Sequence, residues 1–251
     1  MAINKFLQLE IEEKSVELRS KNGYGGTEPI ILSSLLLKNN VITLFQPLSS
    51  GLAGMSIKAS EDLRFMLINQ KHIVGKQHFT IAHEIYHLFI QEKFESQRCI
   101  TGLFDKQTDI EEKKADYFAA YLLMPQSGVL QLIPPTERQK KNQITTETLF
   151  KIQQYYRISI KSVIYRLCEL DLVDNTYFDK YSSGITNTAK NLGYELDLYK
   201  EGNFNKVIGD YGGFANRLYK QNKISESHYF ELLNAINVDP LATTEENEDE
   251  Q

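Results

Sequence analysis

The pentapeptide His83-Glu84-Ile85-Tyr86-His87 is the feature that most constrains this chain. On an α-helix, residues at i and i+4 leave the same face one turn apart, so His83 and His87 would point the same way. Two imidazoles placed in this way can bind one metal ion, and Glu84 can reach a water on that metal. The pentapeptide therefore predicts a helix that supplies two metal ligands, His83 and His87, and a general base, Glu84.

The flanking sequence bears on the choice between a metal site and a pair of core histidines. Most other positions of residues 79–90 are apolar, which predicts a buried helix. In the alternative, His83 and His87 are hydrogen-bonded core residues and Glu84 is a surface carboxylate. An unsatisfied buried polar group costs roughly 2–7 kcal/mol. Because a metal ion would satisfy both histidines and the carboxylate together, the metal site is favoured.

A second predicted helix can supply the third ligand. Residues 109–124 carry apolar side chains at helical spacing, and a proline follows them. Glu112 and Asp116 lie on one stripe at i and i+4, so Glu112 can project inward as a ligand. Asp116 can then accept a hydrogen bond from the outer ring nitrogen of a ligand histidine. The alternative for Glu112 is a first-turn charge that favours the helix dipole, which is the interpretation preferred for Asp109 and Glu111.

Together the two segments resemble the ImmA/IrrE family of bacterial metallo-endopeptidases, which are zincins. The matching residues are Phe79, Thr80, Ala82, His83, Glu84 and His87 in the first helix, and Glu112, Ala115, Asp116, Phe118, Ala119 and Leu122-Leu123-Met124-Pro125 in the second. Weaker similarity extends over residues 30–172. The chain departs from the family at Tyr86, where Gly is usual, and at Asp116, where Asn is common.

The resemblance implies a zinc-dependent endopeptidase with one Zn²⁺ per chain. His83, His87 and Glu112 would hold the metal, Glu84 would be the catalytic base, and Asp116 would support a ligand histidine.

Sites of this kind usually include a further donor to the developing oxyanion. Tyr117, Tyr121 and His78 are the candidates for that role or for substrate contact, and the sequence does not choose among them.

The resemblance also implies a protein partner. Members of this family typically cleave a helix-turn-helix repressor and so relieve repression of stress-response or mobile-element genes. The expected partner is therefore such a repressor, cleaved as one specific protein substrate.

The element pattern predicts an α+β fold that is mainly helical, with a zincin-like core and a small β-sheet. Strands are predicted at residues 41–45, 54–58 and 64–69. An edge of this sheet could bind an extended peptide by strand addition. We expect a metallopeptidase domain with an N-terminal helix over 1–135, a helix-turn-helix-like module over 136–180, a C-terminal helical region over 181–242 and an acidic disordered tail over 243–251.

The module over 136–180 is predicted from two helices, residues 145–155 and 160–170, with Ser159 as the cap of the second. Basic residues outnumber acidic ones over 138–166, which indicates either a DNA-binding surface or a solvated helix face. Helices of this kind also pack on catalytic domains. Two further helices are predicted at 204–219 and 224–236.

Composition limits the location and the partners. The formal net charge of −5 gives no support for tight nucleic-acid binding by the whole chain, although local binding stays open. No apolar run approaches the about 20 residues of a membrane helix, and the N-terminus has no signal-peptide core. Cys99 and Cys168 form no CxxC motif and are expected to be reduced thiols. We expect a soluble cytoplasmic protein without membrane contact.

A second function is compatible with the same residues. The chain could be a non-catalytic regulator or toxin–antitoxin component that binds a partner repressor or DNA, with a structural metal site. The presence of Glu84 argues against this, because a structural site needs no base.

Overall fold

Helices make up most of the computed structural model, which describes residues 4–60, 63–92, 98–100 and 109–239, with 98–100 described by backbone alone. The fold is α+β and mainly helical, as predicted. The acidic tail predicted at 243–251 and the side chain of Cys99 lie outside the described parts. The α-helices are α1 Lys5–Lys21, α2 Leu32–Lys38, α3 Val74–Phe89, α4 Ile110–Leu123, α5 Gln126–Leu132, α6 Thr146–Tyr156, α7 Ile160–Glu169, α8 Thr176–Lys180, α9 Ile185–Asn191, α10 Tyr211–Lys220 and α11 Glu226–Asn234.

The strands are β1 Val41–Gln46, β2 Leu52–Lys58, β3 Arg64–Asn69, β4 Arg98–Ile100 and β5 Val207–Ile208. Over the described residues they form one sheet in the order β4-β2-β3-β1-β5, in which β1 and β3 are parallel and the other pairs antiparallel. The three predicted strands are confirmed as β1, β2 and β3. No described helix combines the length and apolarity that spanning a bilayer requires.

Helix α3 is the centre of the molecule. It packs on β2 and β3 on one side and on α4 on the other. Helix α3 comes close to the sheet at Gly54, where an added Cβ would lie 2.8 Å from Thr80 Cγ2 and 2.9 Å from Leu67 O. Glycine at this position lets the Thr80 side chain of α3 pack directly on the backbone of β2.

Helix α4 is held at both ends. Asp109 caps its N-terminus by accepting from Glu111 N. Two buried arginines bind the carbonyls at its C-terminus: Arg19 Nη1 donates to Leu122 O over 2.6 Å, and Arg166 Nε donates to Met124 O over 3.0 Å. Cations at this end satisfy orphan carbonyls and complement the helix dipole. Because Arg166 is buried, it cannot contribute to the DNA-binding surface that was considered for the basic residues of 138–166.

The C-terminal part of the chain returns to the sheet through residues 200–208, which we call the clasp. Strand β5 lies within the clasp and pairs with β1. The fully buried side chain of Gln77, in the first turn of α3, donates to Gly202 O over 3.0 Å and accepts from Asn203 Nδ2 over 2.8 Å. The clasp therefore fixes the start of the helix that carries the pentapeptide.

The helix predicted at 204–219 is wrong in its first half, because α10 begins only at Tyr211. Asn203, Asn205 and Gly209 have positive φ angles of 58°, 51° and 103°. These values lie outside the right-handed helical region, and the chain forms β5 between Asn205 and Gly209 instead. The helix predicted at 224–236 is confirmed as α11.

The two helices predicted around Ser159 are confirmed as α6 and α7. Ser159 accepts from Ser162 N over 3.2 Å and caps α7. Arg157, between the helices, adopts the left-handed conformation with φ 54°. Its guanidinium pairs with Asp197.

Candidate metal centre

The two histidines of the pentapeptide lie on the side of α3 that faces α4. His83 and His87 are 4% and 2% exposed, and their Nε2 atoms are 3.1 Å apart. Glu112 reaches them from α4: its Oε2 is 3.2 Å from His83 Nε2, and its Oε1 is 3.5 Å from His87 Nε2. The structure thus brings the three predicted ligands together, in a group whose donor atoms all lie within 4.8 Å of one another.

The outer nitrogen of each imidazole faces an oxygen acceptor. His83 Nδ1 donates to Asp116 Oδ1 over 2.9 Å, and His87 Nδ1 donates to Gln91 Oε1 over 2.6 Å. A neutral imidazole that is protonated on Nδ1 carries its lone pair on Nε2. The two Nε2 lone pairs therefore face each other at 3.1 Å, an arrangement that is repulsive without a cation or proton between them. These residues fit a metal ion.

The electrostatics favour the protonation states that bind metal. Burial and then the neighbouring His83 lower the pKa of His87, so its ring is neutral at pH 7. Burial by itself would raise the pKa of Glu112. The hydrogen bond and charge interactions with His83 and His87 outweigh burial and hold the pKa of Glu112 below its ordinary value. Neutral imidazole and ionised carboxylate are the forms in which these groups act as ligands.

Glu84 is buried beside His83 and is only 1% exposed. The alternative in which Glu84 is a surface carboxylate is therefore wrong. Burial of a carboxylate costs free energy unless neighbouring groups compensate for it. A buried ionisable residue next to a group of metal-ligand candidates is therefore a candidate catalytic residue.

The three candidates for oxyanion or substrate contact lie on other faces. Tyr117 and Tyr121 are about 140° and 180° around α4 from Glu112, at about 100° per residue. The hydroxyl of Tyr117 accepts from Gln8 of α1 over 3.4 Å, and that of Tyr121 donates to Glu169 Oε1 over 3.4 Å. The structure brings neither tyrosine to the ligand cluster.

His78, the third of these candidates, is also turned away from the ligands. Its Nδ1 donates to Arg157 O over 2.6 Å, on the far side of α3. It lines a cavity that none of the three ligand candidates lines.

Tyr86, at the position where the resembled family has glycine, joins α3 to α4. Its hydroxyl donates to Glu111 Oε2 over 2.7 Å, and its ring packs edge-on against His87 with centroids 5.5 Å apart. Burial, followed by the hydrogen bond to Glu111, raises the pKa of Tyr86. The large side chain fills the space beside His87 and holds this ligand ring in place.

Gln91 is the functional residue that sequence reasoning missed. Gln91 lies beyond the end of α3 at Phe89, so the i+4 rule for helices does not place it, and no local pattern marked it. It supports His87 as Asp116 supports His83.

Replacing Gln91 by Leu should weaken the affinity of the protein for added Zn²⁺ by about 10–100-fold, the usual effect of losing a partner of a ligand histidine. The His87 ring then loses the acceptor that fixes its orientation. Competition with a chromophoric chelator measures the affinity. Gln131→Leu, at an exposed position in α5, is the matched control and should bind like the wild type. Equal affinities of the two variants would remove Gln91 from the site.

Comparison with protein families places this site within a known domain. A model of the Peptidase_M78 family, described as the IrrE N-terminal-like domain, matches residues 42–168. The match covers half of the chain and includes all three ligand candidates, together with Glu84, Gln91 and Asp116. No curated protein matches the chain.

Proposed function

The chain belongs to the Peptidase_M78 family of IrrE N-terminal-like domains, and from this premise we propose that it is a zinc-dependent endopeptidase that cleaves a partner helix-turn-helix repressor. The observation that carries the proposal is the buried group of His83, His87 and Glu112, in which two imidazole lone pairs and a carboxylate converge.

The donor set supports zinc as the metal. Two imidazole nitrogens and one carboxylate oxygen form a common catalytic zinc set, which leaves a fourth position open. Bonds of about 2.0–2.1 Å in a tetrahedron separate neighbouring donors by about 3.3–3.4 Å. The two imidazole nitrogens are 3.1 Å apart, Glu112 Oε2 lies 3.2 Å from that of His83, and Glu112 Oε1 lies 3.5 Å from that of His87, so each of these separations is close to that value. His83, His87 and Glu112 would thus hold one Zn²⁺ per chain.

When bound, zinc supplies a Lewis acid and lowers the pKa of a coordinated water towards about 7. Residues of the chain transfer the proton and orient the ligands. Glu84 takes the proton from the attacking water as the water oxygen bonds to the scissile carbonyl carbon, and returns it to the leaving nitrogen as the C–N bond breaks. Asp116 and Gln91 hold the two imidazoles with Nε2 towards the centre.

The sheet offers a way to bind the substrate. In the described part of the chain, β4 is an outer strand of the sheet, and it pairs with β2, on which α3 packs. An extended segment of the substrate can add to such an edge through main-chain hydrogen bonds. We propose that the repressor presents its cleavage site in this form, in the cytoplasm where it acts.

We further propose that residues 136–180 form a helix-turn-helix-like module that serves the peptidase core, with domain limits as predicted from the sequence. The buried Arg166 and the pairing of Arg157 with Asp197 and Lys141 with Asp171 support packing over DNA contact, because three of the basic side chains are already engaged.

The test is incubation of the purified, zinc-loaded protein with a helix-turn-helix repressor encoded beside its gene. We expect two fragments from one cleavage site, identified by mass spectrometry, and no cleavage of an unrelated protein of similar size. An intact repressor at stoichiometric enzyme would count against the proposal.

A further inference from the structure

A cavity lies on the face of α3 opposite His83 and His87, and the proposed function does not use it. His78 and Ile81 line it from α3, about half a turn around the helix from the ligand histidines. Its volume is about 250 Å³. Its walls are largely apolar, formed by Ile30, Phe45, Ile81, Leu123 and Ile208.

Three side chains that can carry a positive charge line this cavity. They are His78, Arg157 and Lys206, and no acidic side chain lines it. Arg157 is already paired with Asp197. Lys206 Nζ, in contrast, contacts Asn203 Oδ1 at 3.3 Å, and no carboxylate of the described residues lies within ion-pair distance of it. The cavity therefore has one cation without a counter-ion at its rim.

Two other polar groups of the wall, His78 and Tyr156, are engaged within the protein, and Ser33 also lines the cavity. His78 Nδ1 donates to Arg157 O, and burial lowers the pKa of His78, so the ring is neutral. The hydroxyl of Tyr156 donates to Thr27 O over 2.9 Å. A ligand with an apolar body and one negative charge would therefore complement the apolar walls and Lys206.

We propose that this cavity binds a small organic carboxylate, with its apolar body between Phe45, Ile81 and Ile208 and its carboxylate on Lys206. At about 30 Å³ for each water-sized group, the volume suits a molecule of about eight to ten non-hydrogen atoms. Apolar walls with a single placed charge are typical of small-molecule sites.

Occupancy of the cavity would stabilise the helix that carries the metal ligands. Lys206 and Asn203 belong to the clasp, which binds Gln77 at the start of α3. A carboxylate held by Lys206 would join the clasp to α3 and to the α6–α7 turn. A ligand that binds only this folded arrangement raises the stability of the protein.

The test compares three probes that share one apolar body, at constant ionic strength, by thermal unfolding of the full chain. Benzoate carries the anion, benzamide is neutral and benzamidine is a cation. We expect benzoate to raise the unfolding midpoint in a saturable way and the other two to have little effect. Lys206→Met keeps the apolar stem and should weaken the apparent affinity for benzoate about tenfold or more, because it removes a charged hydrogen-bond donor. Lys220→Met, on exposed α10, is the matched control and should respond like the wild type.

Two results would overturn the assignment. Equal shifts with benzoate and benzamide would show that the cavity does not select an anion. An unchanged response of Lys206→Met, or no response of the wild type to benzoate, would show that this site does not bind it. Because neither zinc nor cleavage enters the measurement, its failure would leave the proposed peptidase activity intact.

Discussion

Replacing Glu84 by Gln is expected to lower the rate of repressor cleavage by about 10²–10⁴-fold, the usual contribution of a general base. The amide matches the carboxylate in size but cannot accept the proton of the attacking water. The side chain is buried beside His83 and is not in the ligand group, so the zinc content and the unfolding midpoint should stay close to those of the wild type. Initial cleavage rates and metal analysis of the same preparation measure both quantities.

Glu111→Gln is the matched control for this change. Glu111 lies next to Glu112 but turns outward to Tyr86 and Lys114, and an amide oxygen can still accept from Tyr86. Its cleavage rate should fall by no more than a few-fold. Near wild-type cleavage by Glu84→Gln would remove Glu84 from the mechanism, whatever the result for Glu111.

Replacing Glu112 by Ala is expected to weaken zinc binding by more than about 100-fold, beyond the usual effect of losing an outer partner. The change removes the only anionic donor of the group, and the two facing imidazoles remain. Equilibrium dialysis against buffered zinc measures the occupancy. Glu111→Gln, one residue earlier on α4, is the control and should keep its zinc, because its amide oxygen can still accept from Tyr86. Full occupancy in Glu112→Ala would exclude this residue from the ligand set.

The parts of the site that follow from local spacing were predictable from the sequence. His83 and His87 share a helix face because they are four residues apart, and Glu112 and Asp116 do so for the same reason. Gln91 lies beyond the end of α3, so the same rule does not cover it. Strands β1 to β3 were predictable because each is a short apolar run with polar boundaries.

The parts that depend on distant segments were not predictable from periodicity. The buried Arg19 binds a carbonyl 103 residues further along the chain, and no local pattern marks that pairing. Strand β5 has two residues and forms only because the sheet edge at β1 is available to it. The error over 204–219 had a visible signal, since Asn203, Asn205 and Gly209 are residue types that favour positive φ.

Tyr86 differs from the usual residue of the resembled family, and the surrounding packing accommodates it. The resembled family usually has glycine there, and a large side chain is expected to change the packing behind the helix. Here the ring lies between His87 and Phe118, and the hydroxyl reaches Glu111. The substitution thus adds a contact that orients a ligand and does not block the site.

The most direct test of a zinc peptidase centred on His83, His87 and Glu112 is the rate of repressor cleavage as zinc is titrated into metal-free protein. We predict no cleavage without metal and a rate that rises to a plateau at one zinc per chain. Cleavage by the metal-free protein, or a rate that does not respond to zinc, would contradict the account.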